Sequence, residues 1–143
     1  MHINQISVFL ENRTGGLAEV TRLLAANNIN LRALSIAETA DYGVLRLITD
    51  DSDRASSALL ANGNILSVNP VMAVAVPDKP AGLNELLEIL AEGDIAIEYM
   101  YSLLTQQNGT AYMVFRISDE DKFVKLLGEH NMKPVCPNEL NIK

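Results

Sequence analysis

The sequence repeats itself at a constant spacing, and this repeat constrains the fold more than any other feature. Gly15-Gly16-Leu17 and Ala81-Gly82-Leu83 lie 66 positions apart. The same offset matches further pairs: Val8 with Val74, Asn12-Arg13 with Asp78-Lys79, Leu24-Ala25 with Leu90-Ala91, Ile29 with Ile95, Tyr42-Gly43 with Asn108-Gly109, and Ser52-Asp53 with Ser118-Asp119. No gap is needed between residues 7 and 52. The chain therefore reads as two copies of one folding unit, residues 1–68 and residues 69–143.

The junction between the copies carries no linker. It has no stretch rich in Pro, Gly or Ser, and Asn69-Pro70 is its only punctuation. Strand-like segments, residues 65–68 and 71–76, lie on either side of it. We therefore expect the two copies to pack together rather than to be loosely tethered.

Each copy carries the same succession of strand and helix patterns. Ile6, Val8 and Leu10 alternate with Ser7 and Phe9, which predicts a strand with one buried face. Met72, Val74 and Val76 alternate with two alanines in the same way. Apolar residues at helical spacing follow: Leu17, Val20, Leu23 and Leu24, and later Leu83, Leu86, Leu87 and Leu90. Further strands are predicted at residues 29–37, 44–49 and 65–68, and at residues 95–104, 111–117 and near Val135.

Turn and cap residues separate these segments. Asn27-Asn28 and Gly93-Asp94 end the first helix of each copy, where a residue with positive φ is expected. Asp41-Tyr42-Gly43 and Gln107-Asn108-Gly109 predict hairpin turns. The second helices are predicted to begin at N-caps Ser52 and Ser118, with Asp121 completing a capping box, and Asn62-Gly63 ends the earlier of the two.

The resulting order is βαββαβ, twice, which predicts an α+β fold of two ferredoxin-like units. Right-handed crossovers place both helices of a unit on one face of an antiparallel sheet. The other face of each sheet then needs a cover, either from the sister unit or from another chain.

Composition excludes several classes of partner. The net charge is -7 and the basic residues are scattered singly, so neither nucleic acid nor an anionic membrane surface is expected as a partner. Cys136 is the only cysteine, which rules out an internal disulfide framework. The longest strongly apolar run covers residues 71–76, far short of the ~20 residues that a membrane span needs. We expect a cytoplasmic protein.

No catalytic constellation is visible. His2 and His130 have no partner at a recognisable spacing, and no nucleophile elbow or phosphate loop occurs. Asp50, Asp51 and Asp53 form the densest acidic run. A divalent cation is one interpretation, but a helix N-terminus, where carboxylates oppose the helix dipole favourably, is preferred. We expect no enzyme activity, metal or cofactor.

The most informative segment is the loop between the first strand and the first helix, Asn12-Arg13-Thr14-Gly15-Gly16-Leu17. Glycines let the backbone approach a ligand closely, and free N–H groups at a helix start attract an anion. The Asn12 side chain offers a donor and an acceptor, and we expect Asn30, which opens the next strand, to face the same cleft. These groups suit a small zwitterion such as an amino acid. The alternative is that the glycines make a tight turn that Asn12 caps.

At these residues the sequence resembles a tandem ACT domain, a ligand-binding module of enzymes of amino-acid metabolism. The family pattern is a strand, an Asp/Asn-x-Pro-Gly-x-Leu turn, a helix and a Gly-Val/Ile-Asn-Ile opening of the second strand. Residues 12–17 and Asn28-Ile29-Asn30-Leu31 carry it in the first copy, and residues 78–83 and Asp94-Ile95-Ala96-Ile97 in the second. The resemblance implies regulatory or sensory amino-acid binding at an interface between two ACT units. Because the uncovered sheet faces and such an interface site both require partners, we predict a homodimer; the alternative is that the two units of one chain pair with each other.

The first copy is most similar to the phosphoglycerate dehydrogenase type of ACT domain. In that type, the asparagines that match Asn12 and Asn30 contact a serine effector, but Leu10 stands where that type carries a histidine. The resemblance therefore does not name the ligand. The candidate ligand contacts that it implies are Asn12, Arg13, Thr14, Gly15, Gly16, Leu17, Asn30 and Leu31.

The second copy departs further from the family pattern. It keeps the proline but has Ala81 for the glycine and Ala96 for the asparagine. Its loop therefore binds nothing or contributes one wall of a site, through Asp78, Lys79, Pro80, Ala81, Gly82 and Leu83.

The function that we predict from the sequence is a non-catalytic, amino-acid-binding regulatory or sensor protein. It either acts on a separate, unidentified partner or simply sequesters its ligand. A structural or protein-interaction subunit with a degenerate pocket is the main alternative. An enzyme ranks third because no nucleophile–base pair is visible. An RNA-binding module ranks last because the strands lack interleaved aromatic and basic residues.

Overall fold

The computed structural model describes residues 1–38, 41–105 and 107–143. In these residues the helices and strands follow in this order: β1 (Ile3–Glu11), α1 (Gly16–Ala26), β2 (Leu31–Glu38), β3 (Tyr42–Thr49), α2 (Ser52–Ala61), β4 (Leu66–Pro77), α3 (Gly82–Glu92), β5 (Ile97–Ser102), β6 (Thr110–Ile117), α4 (Glu120–Glu129) and a short 3-10 helix (Pro137–Leu140). The chain divides into two compact units. The first unit comprises Asn4–Pro70 and Asn141–Lys143, and the second unit comprises Met1–Ile3 and Val71–Leu140.

The first unit is built on β3, which pairs antiparallel with a strand on each side. Leu47 lies opposite Ile6 of β1 and Leu34 of β2, and β1 has the start of β4 as its other neighbour. Both helices contribute to one core on one face of this sheet. Its buried members are Ile6, Val8, Val20, Leu24, Ile29, Leu45, Leu47, Ala55 and Leu59.

The second unit repeats this arrangement around β6. Phe115 of β6 lies opposite Met72 of β4 and Met100 of β5. Phe115 and Phe123 of α4 pack with ring centroids 5.8 Å apart at the centre of the core. Its buried members are Met72, Val74, Val76, Leu86, Leu90, Ile95, Phe115, Ile117, Phe123 and Leu127. The prediction of ferredoxin-like units with antiparallel sheets and helices on one face is confirmed.

The two halves of the chain match at two different offsets. The pairs α1 with α3 and β2 with β5 are separated by 66 positions, as the sequence predicts. The pairs β3 with β6 and α2 with α4 are separated by 68, because Thr110 and Glu120 stand where the first half has Tyr42 and Ser52. The hairpin between β5 and β6 is therefore two residues longer than that between β2 and β3. The gap-free match up to residue 52 was wrong.

This shift corrects one predicted hairpin turn. Tyr42 and Gly43 belong to β3, where they pair with Glu11 and Leu10, so only Asp41 of the predicted turn lies outside a strand. The other predicted turn is confirmed. Asn108 and Gly109 have positive φ of 47° and 71°, as a tight hairpin turn requires.

The helix caps are corrected for the same reason. The N-caps of α2 and α4 are Asp51 and Asp119, not Ser52 and Ser118. The carboxylate of Asp119 accepts the Lys122 backbone N–H at 3.1 Å, so the predicted capping box of Ser118 and Asp121 is not formed. The predicted helix ends are confirmed, because Asn28, Gly63 and Asp94 all have positive φ.

The strand boundaries near the middle of the chain also differ from the prediction. Residues 65–68 and 71–76 were expected as separate strands, but β4 runs unbroken from Leu66 to Pro77. Asn69-Pro70 therefore interrupts nothing. The strand predicted near Val135 is not formed, although the Val135 N–H donates to the Ala73 carbonyl oxygen at 2.8 Å.

Candidate functional site

The loop between β1 and α1 is a tight turn held by its own backbone. The Arg13 N–H donates to the Glu11 carbonyl oxygen at 2.9 Å, and the Gly16 N–H donates to the Arg13 carbonyl oxygen at 3.3 Å. Gly15 has a φ of +86°, a left-handed conformation that glycine adopts without strain. The helix begins after Gly15 without a side-chain cap, so the first turn of α1 presents a positive helix end.

A cavity of about 370 Å³ lies beside this loop. Its walls are the end of β1, the first turns of α1, and the turn between α2 and β4. The lining residues are Phe9, Leu10, Glu11, Arg13, Gly16, Glu19, Val20, Tyr42, Asn62, Gly63, Asn64 and Ile65. Of the residues that the sequence predicts as ligand contacts, only Arg13 and Gly16 are among them. Asn12, Thr14 and Gly15 are exposed and Leu17 is half-buried in the neighbouring loop and helix start.

An ion pair lines the cavity. The Arg13 guanidinium donates two hydrogen bonds to the Glu19 carboxylate, at 3.1 Å and 2.6 Å. The hydrogen bond and charge of Glu19 raise the pKa of Arg13, and those of Arg13 lower the pKa of Glu19. The prediction included Arg13 but missed Glu19. The signal for Glu19 was its position one turn into a helix that begins at the predicted loop.

Two aromatic rings also line the cavity, and the sequence prediction missed both. Phe9 and Tyr42 lie with ring centroids 5.9 Å apart, and they are 49% and 46% exposed. Because Val8 and Leu45 belong to the core, strand alternation places Phe9 and Tyr42 on the opposite sheet face. Ile65, which accepts the Phe9 N–H through its carbonyl oxygen, is 71% exposed. These side chains contribute an apolar surface that the core of the unit does not use.

Asn30 lies at the other end of the sheet. Leu31 pairs with Thr49 at one end of β3, whereas Glu11 pairs with Tyr42 at the other end, about 23 Å away at the usual rise of a strand. The backbone of Asn30 is tied to Asp50: its N–H donates to the Asp50 carboxylate at 3.0 Å, and its carbonyl oxygen accepts the Asp50 N–H at 2.9 Å. Within the first unit, Asn30 and Leu31 are therefore not brought together with the loop.

The acidic run that begins with Asp50 serves the start of α2. Asp51 is the N-cap and Asp53 lies in the first turn. In the described parts of the chain, no three His, Cys, Asp or Glu side chains group closely enough to hold a metal ion. No helix in these parts is both long and apolar enough to span a membrane.

The second unit has a loop of the same shape, formed by Asp78, Lys79, Pro80, Ala81, Gly82 and Leu83. The Lys79 N–H donates to the Pro77 carbonyl oxygen, and the Gly82 N–H donates to that of Lys79, each at 3.0 Å. Ala81 takes the left-handed conformation of Gly15, with a φ of 70°. At the positions of Phe9, Tyr42 and Ile65, this unit carries Ala75, Thr110 and Lys133. The loop is repeated, but its aromatic and apolar surroundings are not.

Comparison with known proteins gives one family and several related structures. A model of the ACT domain pair matches residues 1–142. The structure of protein BT0572 from Bacteroides thetaiotaomicron is 40% identical, covers 99% of this chain and 96% of its own, and has a TM-score of 0.89. The regulatory subunits of aspartate kinase from Thermus thermophilus and Thermus flavus share the fold, with TM-scores of 0.62 and 0.57. They are 20% and 16% identical and cover 91% and 90% of both chains. A search of curated proteins found no match.

Proposed function

This chain belongs to the family of ACT domain pairs, and we propose that it is a non-catalytic regulatory protein that binds a free amino acid. The observation that carries the proposal is the cavity beside the β1–α1 loop. Its volume of about 370 Å³ lies at the lower end of the range of small-molecule sites, which suits a ligand the size of an amino acid.

The charges of the cavity are complementary to a zwitterion. Glu19 accepts two of the five N–H groups of the Arg13 guanidinium, and the remaining ones can donate to the α-carboxylate of a ligand. The Glu19 carboxylate has further lone pairs that can accept from the α-ammonium group. The positive end of α1, at Gly16 and Leu17, adds a second attraction for the carboxylate. We propose that Asn12, Thr14 and Gly15 hold the loop in the shape that presents these groups.

A role for Asn30 requires a second molecule. Because Asn30 lies a strand length from the loop of its own unit, a ligand that contacts both needs Asn30 from another copy of the chain. We propose a homodimer in which Asn30 and Leu31 of one molecule approach the Arg13 loop of the other. The regulatory subunits of aspartate kinase match this chain over 91% and 90% of both chains, which includes both ACT units. This match supports a role in which ligand binding is transmitted to a separate, cytoplasmic partner protein.

A thermal-shift screen of the full chain against the twenty amino acids tests the proposal. A ligand present at 100 times its dissociation constant adds about 2.7 kcal/mol to the free energy of unfolding. We expect one chemically related group of amino acids to raise the melting temperature by several degrees, and light scattering to give the mass of a dimer. Asn30→Ala is expected to weaken binding by about 1–3 kcal/mol if its amide pairs with the ligand.

The alternative is a structural or protein-interaction subunit, and one observation favours it. Phe9, Tyr42 and Ile65 expose apolar surface of a kind that also occurs at protein interfaces. A flat screen with a well-folded protein would support this alternative. Unchanged amino-acid affinity in a folded Asn30→Ala protein would remove Asn30 from the site while leaving the function in place.

A further inference from the structure

We propose that the first unit selects amino acids with a ring in the side chain, and that the Phe9–Tyr42 pair forms the surface on which that ring packs. This inference rests on the proposed function, since it assumes that the cavity holds a free amino acid. It adds the chemical class of the ligand and the residues that choose it.

The exposure of the two rings is the first observation. Phe115 and Phe123 also contact each other, but their rings are buried in the core of the second unit. Phe9 and Tyr42, in contrast, are each about half exposed and line a cavity. Two partly exposed aromatic side chains beside each other present an apolar surface on which a third ring can pack at the offset or tilted geometry that aromatic groups prefer.

The second unit serves as an internal comparison. It has the same fold and the same loop, but Ala75 and Thr110 stand at the positions of Phe9 and Tyr42. The fold at these positions therefore does not require rings. Because folding does not account for the pair, we assign it to the contents of the cavity.

Charge decides between a free amino acid and the apolar side chains of a protein as the occupant. The cavity that the rings line also contains the Arg13–Glu19 ion pair, which presents both signs of charge. A free amino acid carries both signs on its α-carbon, next to the side chain. A ring amino acid therefore satisfies the apolar and the charged parts of the cavity with one small molecule.

Calorimetric titration of the full chain tests the inference. The ligands are L-phenylalanine, L-alanine, and two analogues that each lack one charge, 3-phenylpropionate and phenethylamine. We expect L-phenylalanine to bind at least about tenfold more tightly than L-alanine, and both analogues to bind more weakly than L-phenylalanine. Equal affinity for L-phenylalanine and L-alanine would overturn the ring assignment while leaving the proposed function intact. Absence of binding by any of the twenty amino acids would overturn both.

Two variants test the residues. Phe9→Ala and Tyr42→Thr introduce the side chains that the second unit carries at the same positions, so both are compatible with the fold. We expect each to reduce the affinity for L-phenylalanine about tenfold and to leave that for L-alanine unchanged. Leu60→Ala removes a side chain that is 58% exposed on α2 and does not line the cavity, and it is the matched control. Unchanged L-phenylalanine affinity in both ring variants would overturn the inference.

Discussion

Asp51 and Asp119 hold the same position at the starts of two helices. Each carboxylate accepts the backbone N–H of the residue three positions later, Arg54 and Lys122 respectively, at 3.1 Å. The two aspartates are 68 positions apart. This is the longer of the two offsets between the halves of the chain, and it applies to the elements that follow β2 and β5. They satisfy donors that a helix otherwise leaves unpaired in its first turn.

We predict that Asp51→Ala and Asp119→Ala each lower the free energy of unfolding by about 1 kcal/mol, because each removes a helix cap. Urea denaturation followed by circular dichroism measures the effect. Ser118→Ala is the control, since the Ser118 hydroxyl donates to the exposed Glu98 carboxylate and does not cap α4. A loss from Ser118→Ala as large as that from Asp119→Ala would contradict the assignment of the cap.

Gly15 and Ala81 predict opposite effects of exchanging glycine and alanine. Both residues precede a helix in the left-handed conformation, with φ of +86° and +70°. In this conformation alanine is less stable than glycine by about 1 kcal/mol, because its Cβ approaches the backbone closely. We expect Ala81→Gly to stabilise the protein and Gly15→Ala to destabilise it, each by up to about 1 kcal/mol in urea denaturation. Changes of the same sign in both variants would argue against this backbone geometry.

Gly16 and Gly82 begin their helices but differ in the room around them. A Cβ on Gly82 would lie 2.0 Å from the Pro77 carbonyl oxygen, whereas a Cβ on Gly16 would be 3.7 Å from that of Glu11. Gly82→Ala must therefore displace backbone atoms, and we expect it to lower the free energy of unfolding by about 1–3 kcal/mol or more. Gly16→Ala is the matched control, for which we expect a change well below 1 kcal/mol on melting. Equal tolerance of the two changes would contradict the close approach at Pro77.

The Arg13–Glu19 ion pair predicts how the Glu19 carboxyl titrates. Hydrogen bonding and attraction by Arg13 lower the pKa of Glu19, so its small contribution to stability is present above the ordinary glutamate range and is lost as the pH falls through the lowered value. We expect Arg13→Gln to raise the titration midpoint of Glu19, measured by NMR of its side-chain carboxyl carbon. Arg22→Gln is the control, because Arg22 contributes the weakest of the attractions. A midpoint unaffected by Arg13→Gln would show that the pair does not form in solution.

The repeat made the fold predictable, because one periodic pattern supported by a second copy gives the element order and the core faces. The predictions that were wrong concerned which residue of one copy corresponds to which residue of the other. Tyr42-Gly43 resembles Asn108-Gly109 at a fixed offset, but a two-residue difference in hairpin length breaks the equivalence without changing either core. Pro70 resembles a strand end because proline lacks a backbone donor, yet β4 runs through it from Leu66 to Pro77.

The site was predictable only in part, for a different reason. The glycine-containing loop has a local signature, so two residues that line the cavity, Arg13 and Gly16, were among those predicted from the sequence. Their contact with a ligand stays a prediction. Phe9 and Tyr42 are far apart in sequence and meet only because β1 and β3 pair. Asn30 was expected in the same cleft because it opens the next strand along the chain. In the structure β2 begins at the end of the sheet where β1 also begins, whereas the loop follows the other end of β1.

The way in which the chain is divided between the two units determines the order in which the units are completed during synthesis. Asn141–Lys143 belong to the first unit, where the Lys143 N–H donates to the Asp50 carbonyl oxygen at 2.9 Å and Ile142 is buried. A ribosome makes these residues after every helix and strand of the second unit. Most of the first unit is therefore translated before the helices and strands of the second unit, but the first unit lacks residues 141–143 until the second unit has been translated.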